Sequence, residues 1–181
     1  MATVAFVLAE DFEDSEFRIP YDRLKQAGHR VSVLGGHAGQ MVRGKKGKEV
    51  VAIEAAAKDH KASEFDALVI PGGYSPDHLR TEPAVVELVR AVARAGKPVA
   101  AVCHGPSLLI EAELVRGKTV TSWPSIRTDL QNAGANWVDQ QVAEDGLLIT
   151  SRNPSDLEAF SKAIVARLER TRDDRAGASA R

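Results

Sequence analysis

Short apolar runs alternate with longer amphipathic stretches along most of this chain. Runs of four to six mainly apolar or β-branched residues predict strands at 3–8, 30–34, 67–70, 99–102, 119–122 and 147–150. Amphipathic stretches predict helices at 17–27, 83–95, from 106 onward, 126–132 and 155–170. Strands that alternate with helices are typical of an α/β protein whose parallel sheet is covered on both faces.

Residues 41–54 depart from this alternation. Two strand-like pieces flank a segment in which Gly44 and Gly47 bracket lysines, and this pattern predicts a β-hairpin. The basic run 43–48 is then expected to be a solvated hairpin tip rather than a surface that binds nucleic acid.

The last predicted helix and the residues after it mark the end of the domain. Ser155, with Glu158 three residues later, has the spacing of a helix cap. Residues 171–181 are polar and small, so we expect a flexible tail there. The pattern therefore predicts one domain formed by residues 1–170.

Composition narrows the class of protein. The chain has 181 residues, 44% hydrophobic and 27% charged, which is ordinary usage for a soluble domain with one core. Its net charge of −1 creates no general field that would attract nucleic acid or an anionic membrane. A single cysteine excludes an internal disulfide and fits a reducing compartment.

Several classes of partner are not expected. The first residues have no basic leader, and no apolar stretch approaches the roughly 20 residues that span a bilayer. Five histidines lack metal-ligand spacing, and no phosphate-binding glycine motif follows the first strand. We therefore expect a cytoplasmic protein without metal, cofactor or membrane partner.

The single cysteine lies where the predicted strand at 99–102 ends. A cysteine after an apolar run is commonly a small buried hydrophobic residue. Here, however, His104 places a polar ring beside it, and Gly105 and Pro106 force an immediate turn into a helix. A helix N-terminus favours the thiolate over the thiol, so the sequence predicts that Cys103 is a reactive nucleophile with a lowered pKa.

Two further segments end predicted strands at the same edge of the sheet, where ligands of such folds bind. Gly72 and Gly73 follow the strand at 67–70 and could present backbone amides, together with that of His104, to an oxyanion. Alternatively, the glycines only form a tight loop. The acid-rich segment 9–16 follows the first strand, and it could place one carboxyl group against the sulfur if that strand lay beside the cysteine strand.

Four blocks of sequence together resemble the ThiJ/PfpI superfamily, specifically its PfpI-type intracellular proteases. These blocks lie at residues 8–31, 65–80, 96–112 and 145–157. The resemblance implies a flavodoxin-like α/β sandwich with a mostly parallel sheet, related to class I glutamine amidotransferases. It also implies assembly into a homodimer or higher homo-oligomer.

The same resemblance assigns roles to individual residues. It implies that Glu13 is the carboxyl group in contact with Cys103. It also implies that His104 belongs to a Cys-His-acid triad whose acid comes from an adjoining subunit. The corresponding acid in this chain is Asp77, one methylene shorter than the glutamate common in the family.

Two hydrolytic activities follow from the resemblance. One removes methylglyoxal or glyoxal adducts from proteins and nucleotides in stress defence, and the other cleaves peptides. A small aldehyde adduct needs only the thiol and a nearby acid, whereas a peptide also needs an oriented imidazole to protonate the leaving amine. We therefore rank deglycation first, peptide hydrolysis second, and a non-enzymatic redox sensor or holdase chaperone as the alternative of another class.

Overall fold

Seven of the strands form one central sheet in the computed structural model, which describes residues 1–179, with side chains through residue 171. The strands are β1 (Thr3–Val7), β2 (Arg30–Gly35), β3 (Met41–Arg43), β4 (Val50–Ala52), β5 (Ala55–Ala56), β6 (Ala67–Ile70), β7 (Val99–Val102), β8 (Thr119–Val120), β9 (Asn136–Trp137), β10 (Val142–Asp145) and β11 (Leu148–Ser151). The order across the sheet is β10-β11-β7-β6-β1-β2-β5, and only β10 pairs antiparallel within this sheet.

Helices cover both faces of the sheet. They are α1 (Asp14–Gln26), α2 (Ser75–Leu79), α3 (Pro83–Arg94), α4 (Pro106–Glu111), α5 (Arg127–Asn132) and α6 (Leu157–Ser179). Alternate residues of the central strands point to opposite faces and enter two separate apolar clusters. One cluster packs against α3 and α4, and the other packs against α1 and α6. The α/β prediction of a mostly parallel, flavodoxin-like sandwich is confirmed.

The small predicted hairpin is also present. Strands β3 and β4 pair antiparallel, with Met41 opposite Ala52 and Arg43 opposite Val50. Its turn lies beside the connection between β1 and α1, because Gly44 and Phe12 form an isolated bridge. The hairpin therefore leaves the main sheet and returns over its carboxyl edge.

Several boundaries differ from the sequence predictions. Helix α1 begins three residues earlier than predicted, so it includes Glu16. The predicted strand at 119–122 shortens to β8, which pairs with β9 outside the main sheet. Strand β10 was missed, since an edge strand with one solvent-facing side carries a weak apolar pattern.

The start of the last helix also differs. The Asn153 side chain, rather than that of Ser155, accepts the capping hydrogen bond, and Ser155 N–H is its donor at 2.9 Å. A single 3-10 turn follows, and α6 then continues to Ser179 through most of the segment predicted as a tail. The last two residues of that segment, 180–181, lie outside the described residues.

Within residues 1–179, no helix is both long and apolar enough to cross a membrane.

Candidate active site

Cys103 lies on the sharp turn that joins β7 to α4. Its backbone adopts φ of +62°, a left-handed conformation that is rare and strained for a residue with a side chain. Two backbone hydrogen bonds stabilise this conformation. Cys103 N–H donates to Ser151 O at 3.0 Å, and Cys103 O accepts from Trp123 N–H at 2.9 Å. The sharp turn from strand to helix that the sequence predicts at Cys103 is therefore present.

The carboxyl group at the sulfur belongs to Glu16, where the sequence analysis placed Glu13. Glu16 lies in the first turn of α1 and is fully buried. Its Oε2 accepts a hydrogen bond from Gly72 N–H at 2.8 Å, and the carboxyl group interacts with the Cys103 thiol. Its other oxygen, Oε1, is buried and has no other partner of ordinary hydrogen-bond geometry in the described chain.

Burial raises the pKa of Glu16 from 4.5 to about 7. The Gly72 amide works in the opposite direction because it donates to the charged carboxylate. A carboxyl group that titrates near neutral pH can accept a proton in one step and return it in another.

The prediction of a lowered thiol pKa is wrong. Burial raises the pKa of Cys103, and the neighbouring Glu16 carboxylate raises it further. The backbone amides of Gly73 and His104 favour the thiolate but do not outweigh these two effects. Helix α4 has only six residues and a small dipole, so its N-terminus competes poorly with a buried negative charge.

The two glycines after β6 serve different purposes. Gly72 donates its amide to Glu16, and a Cβ on it would lie 2.8 Å from Cys103 Cβ and would also overlap the Glu16 carboxylate. The amides of Gly73 and His104 instead point at the sulfur. Of the three predicted oxyanion donors, two are thus directed at the nucleophile and the third positions the carboxyl group.

Glu13 lies three residues before Glu16 and is paired with two lysines. Its Oε2 is 2.9 Å from Lys45 Nζ and its Oε1 is 2.7 Å from Lys46 Nζ, while its side chain is only 4% exposed. Burial alone would raise its pKa, but the hydrogen bonds and charges of the lysines outweigh burial and lower it. Glu13 is therefore an ionised partner of the hairpin turn.

His104 connects the sulfur to a serine. Its Nδ1 lies 3.3 Å from Cys103 Sγ, and its Nε2 lies 3.2 Å from Ser125 Oγ. Burial lowers the pKa of His104, and the positive charge of Lys45 lowers it further, so the ring is neutral at pH 7. Ser125 had no signal in the sequence, because it reaches His104 only through the fold.

Asp77 lies on α2 and is exposed. Its proposed role depends on a second subunit, and it stays a prediction. Among the described residues, no group of three histidine, cysteine or acidic side chains could hold a metal ion.

The fold is a three-layer α/β sandwich, and its single cysteine lies on a strained turn beside a buried carboxyl group and a histidine. This arrangement is typical of enzymes that use a cysteine nucleophile. Comparison with protein families identifies the family of the chain. Residues 2–167 match the DJ-1/PfpI family, and this chain belongs to that family.

Relatives share nearly the whole chain. The chain is 45% identical over 163 residues to protein/nucleic acid deglycase 2 of Escherichia coli (strain K12), covering 90% of this chain and 95% of the relative. It is 40% identical over 166 residues to deglycase PfpI of Pyrococcus furiosus, covering 92% and 99% respectively.

A solved structure has the same fold. A two-domain protein from Anabaena variabilis, containing DJ-1/ThiJ/PfpI-like and ferritin-like domains, matches with a TM-score of 0.92 and 46% identity. The match covers 93% of this chain and 48% of that one, so this chain spans about half of the two-domain protein.

Proposed function

We propose that this protein is a cysteine-dependent hydrolase that removes methylglyoxal or glyoxal adducts from proteins or nucleotides. The observation that carries the proposal is the buried pair of Glu16 and Cys103, in which a carboxyl group of neutral pKa faces the only thiol of the chain. Two relatives that match nearly the whole chain are named deglycases, which supports the same activity.

The first chemical step uses that pair directly. As the sulfur of Cys103 bonds to the carbonyl carbon of the adduct, the thiol proton moves to the Glu16 carboxylate. The π electrons of the carbonyl bond move to its oxygen, and we expect the amides of Gly73 and His104, which point toward the sulfur, to stabilise the resulting oxyanion. Glu16 then returns the proton to that oxygen. In later steps the bond between the adduct and its carrier breaks, the carrier amine or thiol takes one proton as it leaves, and one water molecule cleaves the remaining bond to Cys103, which recovers its proton.

The raised thiol pKa suits this sequence of events. A buried thiol with a high pKa is protonated at rest, so it needs a base in contact when it attacks. The Glu16 carboxylate is that base, and the fraction in the basic form grows as the pH rises through about 7. We therefore expect kcat/KM to rise through about pH 7.

The test compares the wild type with C103S and E16Q on a freshly glycated cysteine or arginine derivative. Recovery of the carrier is measured alongside loss of the adduct. Free methylglyoxal and Tris must be controlled, because spontaneous reversal of the adduct imitates deglycation. We expect no enzymatic turnover in C103S, and about 100-fold or greater loss in E16Q with loss of the rise near pH 7. Unchanged turnover in C103S would overturn the proposal.

Peptide hydrolysis is the second candidate. The observation that favours it is the neutral His104 ring, whose Nδ1 lies 3.3 Å from the sulfur and could pass a proton to a leaving amine. Casein and a fluorogenic peptide, assayed beside the adducts, separate the two activities. Cleavage of peptides that depends on Cys103, without deglycation that depends on Cys103, would reverse the ranking.

A non-enzymatic redox sensor or holdase is the third reading. Oxidation of a cysteine is fastest when the thiolate is exposed, whereas Cys103 is 7% exposed and has a raised pKa. These properties favour enzymatic chemistry over sensing. Loss of neither hydrolytic activity in C103S would favour the sensor.

We further propose that the protein acts in the cytoplasm as a homodimer or higher homo-oligomer, with a small adduct or a peptide as its substrate. The single cysteine supports a reducing compartment. Asp77 is exposed on α2, which leaves it accessible to a neighbouring subunit.

A further inference from the structure

The turn of the β3–β4 hairpin, residues 44–49, lies at the active site; we name it the lysine turn. It is joined to the connection between β1 and α1 by Lys45 N–H, which donates to Phe12 O at 2.9 Å. Phe12 also bridges to Gly73, whose amide points at the sulfur. Phe12 therefore connects the lysine turn to the loop that contacts Cys103.

Asp14 holds the lysine turn in one conformation. Its buried carboxylate accepts hydrogen bonds from the backbone amides of Lys46, Lys48 and Glu49 at 2.9, 2.8 and 2.9 Å. Gly44 leaves the space for this carboxylate, because a Cβ there would overlap it. A turn fixed by three hydrogen bonds positions its side chains with little loss of entropy when a ligand binds.

Two lysines of the lysine turn share one carboxylate. Lys45 and Lys46 both pair with Glu13, so these three side chains together carry one excess positive charge. Lys45 acts electrostatically on Cys103, Glu16 and His104, and its ammonium group contacts Glu13 one helical turn before Glu16. Its side chain is 36% exposed, so an incoming molecule can reach it.

We propose that Lys45 binds an anionic oxygen group of the substrate, with Glu13 and Lys46 as the residues that position it. The inference rests on the proposed function and specifies its substrate: aldehyde adducts whose carrier has a carboxylate or phosphate near the reacting carbonyl. Free amino acids, small thiol acids and nucleotides are carriers of this chemistry. The carbonyl group would lie at the sulfur while the anionic group contacts Lys45.

The first experiment measures charge selection at Cys103 without any turnover. Iodoacetate and iodoacetamide deliver the same electrophilic carbon, but only iodoacetate is an anion. We expect the ratio of their rate constants at Cys103 to exceed the ratio for the urea-unfolded chain by about fivefold or more, and to fall with added salt. K45Q should lower the ratio about fivefold, and K45R should restore it.

K48Q is the matched control. Lys48 is exposed on the same turn, and its backbone amide, rather than its side chain, contacts Asp14. This variant should keep the wild-type ratio. An equal decrease in K48Q, an unchanged ratio in K45Q, or failure of both reagents to reach Cys103 would overturn the inference.

A second experiment identifies the source of the anionic group. Methylglyoxal adducts of N-acetylcysteine and of its amide differ in one carboxylate, and adducts of a guanine nucleotide and its nucleoside differ in phosphate. We expect the charged member of at least one pair to have about fivefold higher kcat/KM, and K45Q to remove that preference. No preference in either pair would overturn the inference. Charge-selective alkylation without turnover of any adduct would instead overturn the proposed function alone.

Discussion

The carboxyl group of Glu16 is shielded from solvent, which favours its protonated form. Its carboxyl group is fully buried, its closest fixed donor is the Gly72 amide, and its neighbour is a thiol that also resists ionisation. The charged Glu16 carboxylate raises the pKa of Cys103, whereas the hydrogen bond from the Cys103 thiol favours the carboxylate and only partly offsets the effect of burial on the pKa of Glu16. Burial therefore creates a base of neutral pKa from a side chain that is ordinarily ionised at pH 7.

This arrangement has a cost in stability that depends on pH. The folded chain holds the Glu16 proton up to about pH 7, whereas the unfolded chain releases it near 4.5. Between these values the folded state binds more protons, so the free energy of unfolding falls as the pH rises. We expect E16Q to be more stable than the wild type by about 2 to 3 kcal/mol at pH 8, with the difference disappearing near pH 4.

Urea unfolding at several pH values measures this difference. E13Q is the matched control and should behave in the opposite way, because the lysines lower the pKa of Glu13. Its ionised form stabilises the folded chain above pH 4.5, and this stabilisation fades as the pH falls through the lowered pKa. A wild type and an E16Q variant with parallel pH profiles would contradict the raised pKa of Glu16.

The thiol itself gives a second prediction at this scale. Because burial and the Glu16 carboxylate raise its pKa, alkylation of Cys103 should have its inflection above the free value of about 8.5. In E16Q one of these causes is absent, so the inflection should move to lower pH. The rate of iodoacetamide labelling against pH measures both, and an inflection well below 8.5 in the wild type would restore the thiolate that the sequence predicted.

At the scale of elements, the site depends on three strand-to-helix connections that approach one another closely. The loop after β6 passes between α1 and the turn after β7, and it contributes no side chain at Gly72. Space that a Cβ would fill is occupied by the Glu16 carboxyl group and the Cys103 side chain. The contact between these two groups therefore requires glycine at this position.

G72A should consequently separate the pair. The added Cβ would lie 2.8 Å from Cys103 Cβ and 2.9 Å from Val102 O, so Glu16 or the backbone must move. We expect destabilisation of about 1 to 3 kcal/mol and loss of the rise in kcat/KM near pH 7. G36A is the control, since its nearest contact is the Glu82 side chain at 3.2 Å, which can move. Unchanged activity and stability in G72A would show that the close packing is not required.

At the scale of the whole molecule, one chain brings together the Cys103 thiol and His104, and Ser125 occupies the position at His104 Nε2 that an orienting acid would need. Asp77 is exposed on α2. If the protein assembles as proposed, Asp77 of a second subunit would approach His104. The two predicted activities depend differently on Asp77, because peptide hydrolysis needs an oriented imidazole and removal of an adduct does not.

We expect light scattering to give at least a dimer at micromolar concentration. D77A should lower any peptidase activity tenfold or more while deglycation stays within about twofold. D59N is the control, because Asp59 belongs to a different surface turn. A monomer at that concentration would remove the shared site, and equal peptidase activity in D77A would dismiss the triad even in an oligomer.

The sequence by itself determined the fold class and the position of Cys103 on the turn between a strand and a helix. Unbroken apolar runs specified strands buried on both faces, and Gly105 and Pro106 specified the turn after Cys103. These are local properties, because the period of apolar residues and the backbone freedom of a turn depend on neighbours in the chain. The lysine-bearing hairpin was also predicted for this reason.

Only the tertiary structure decided which carboxyl group meets the sulfur and how the thiol ionises. Strand β6 lies between β1 and β7, so the contact depends on the sheet order, on where α1 begins and on the space at Gly72. The acid-rich segment 9–16 contains both Glu13 and Glu16, which lie three residues apart. In the fold Glu13 pairs with lysines, whereas Glu16 contacts Cys103. The pKa of the thiol is raised because Cys103 is buried, and burial is a property of the packed molecule. Its effect outweighs that of the short helix α4, which the sequence predicted.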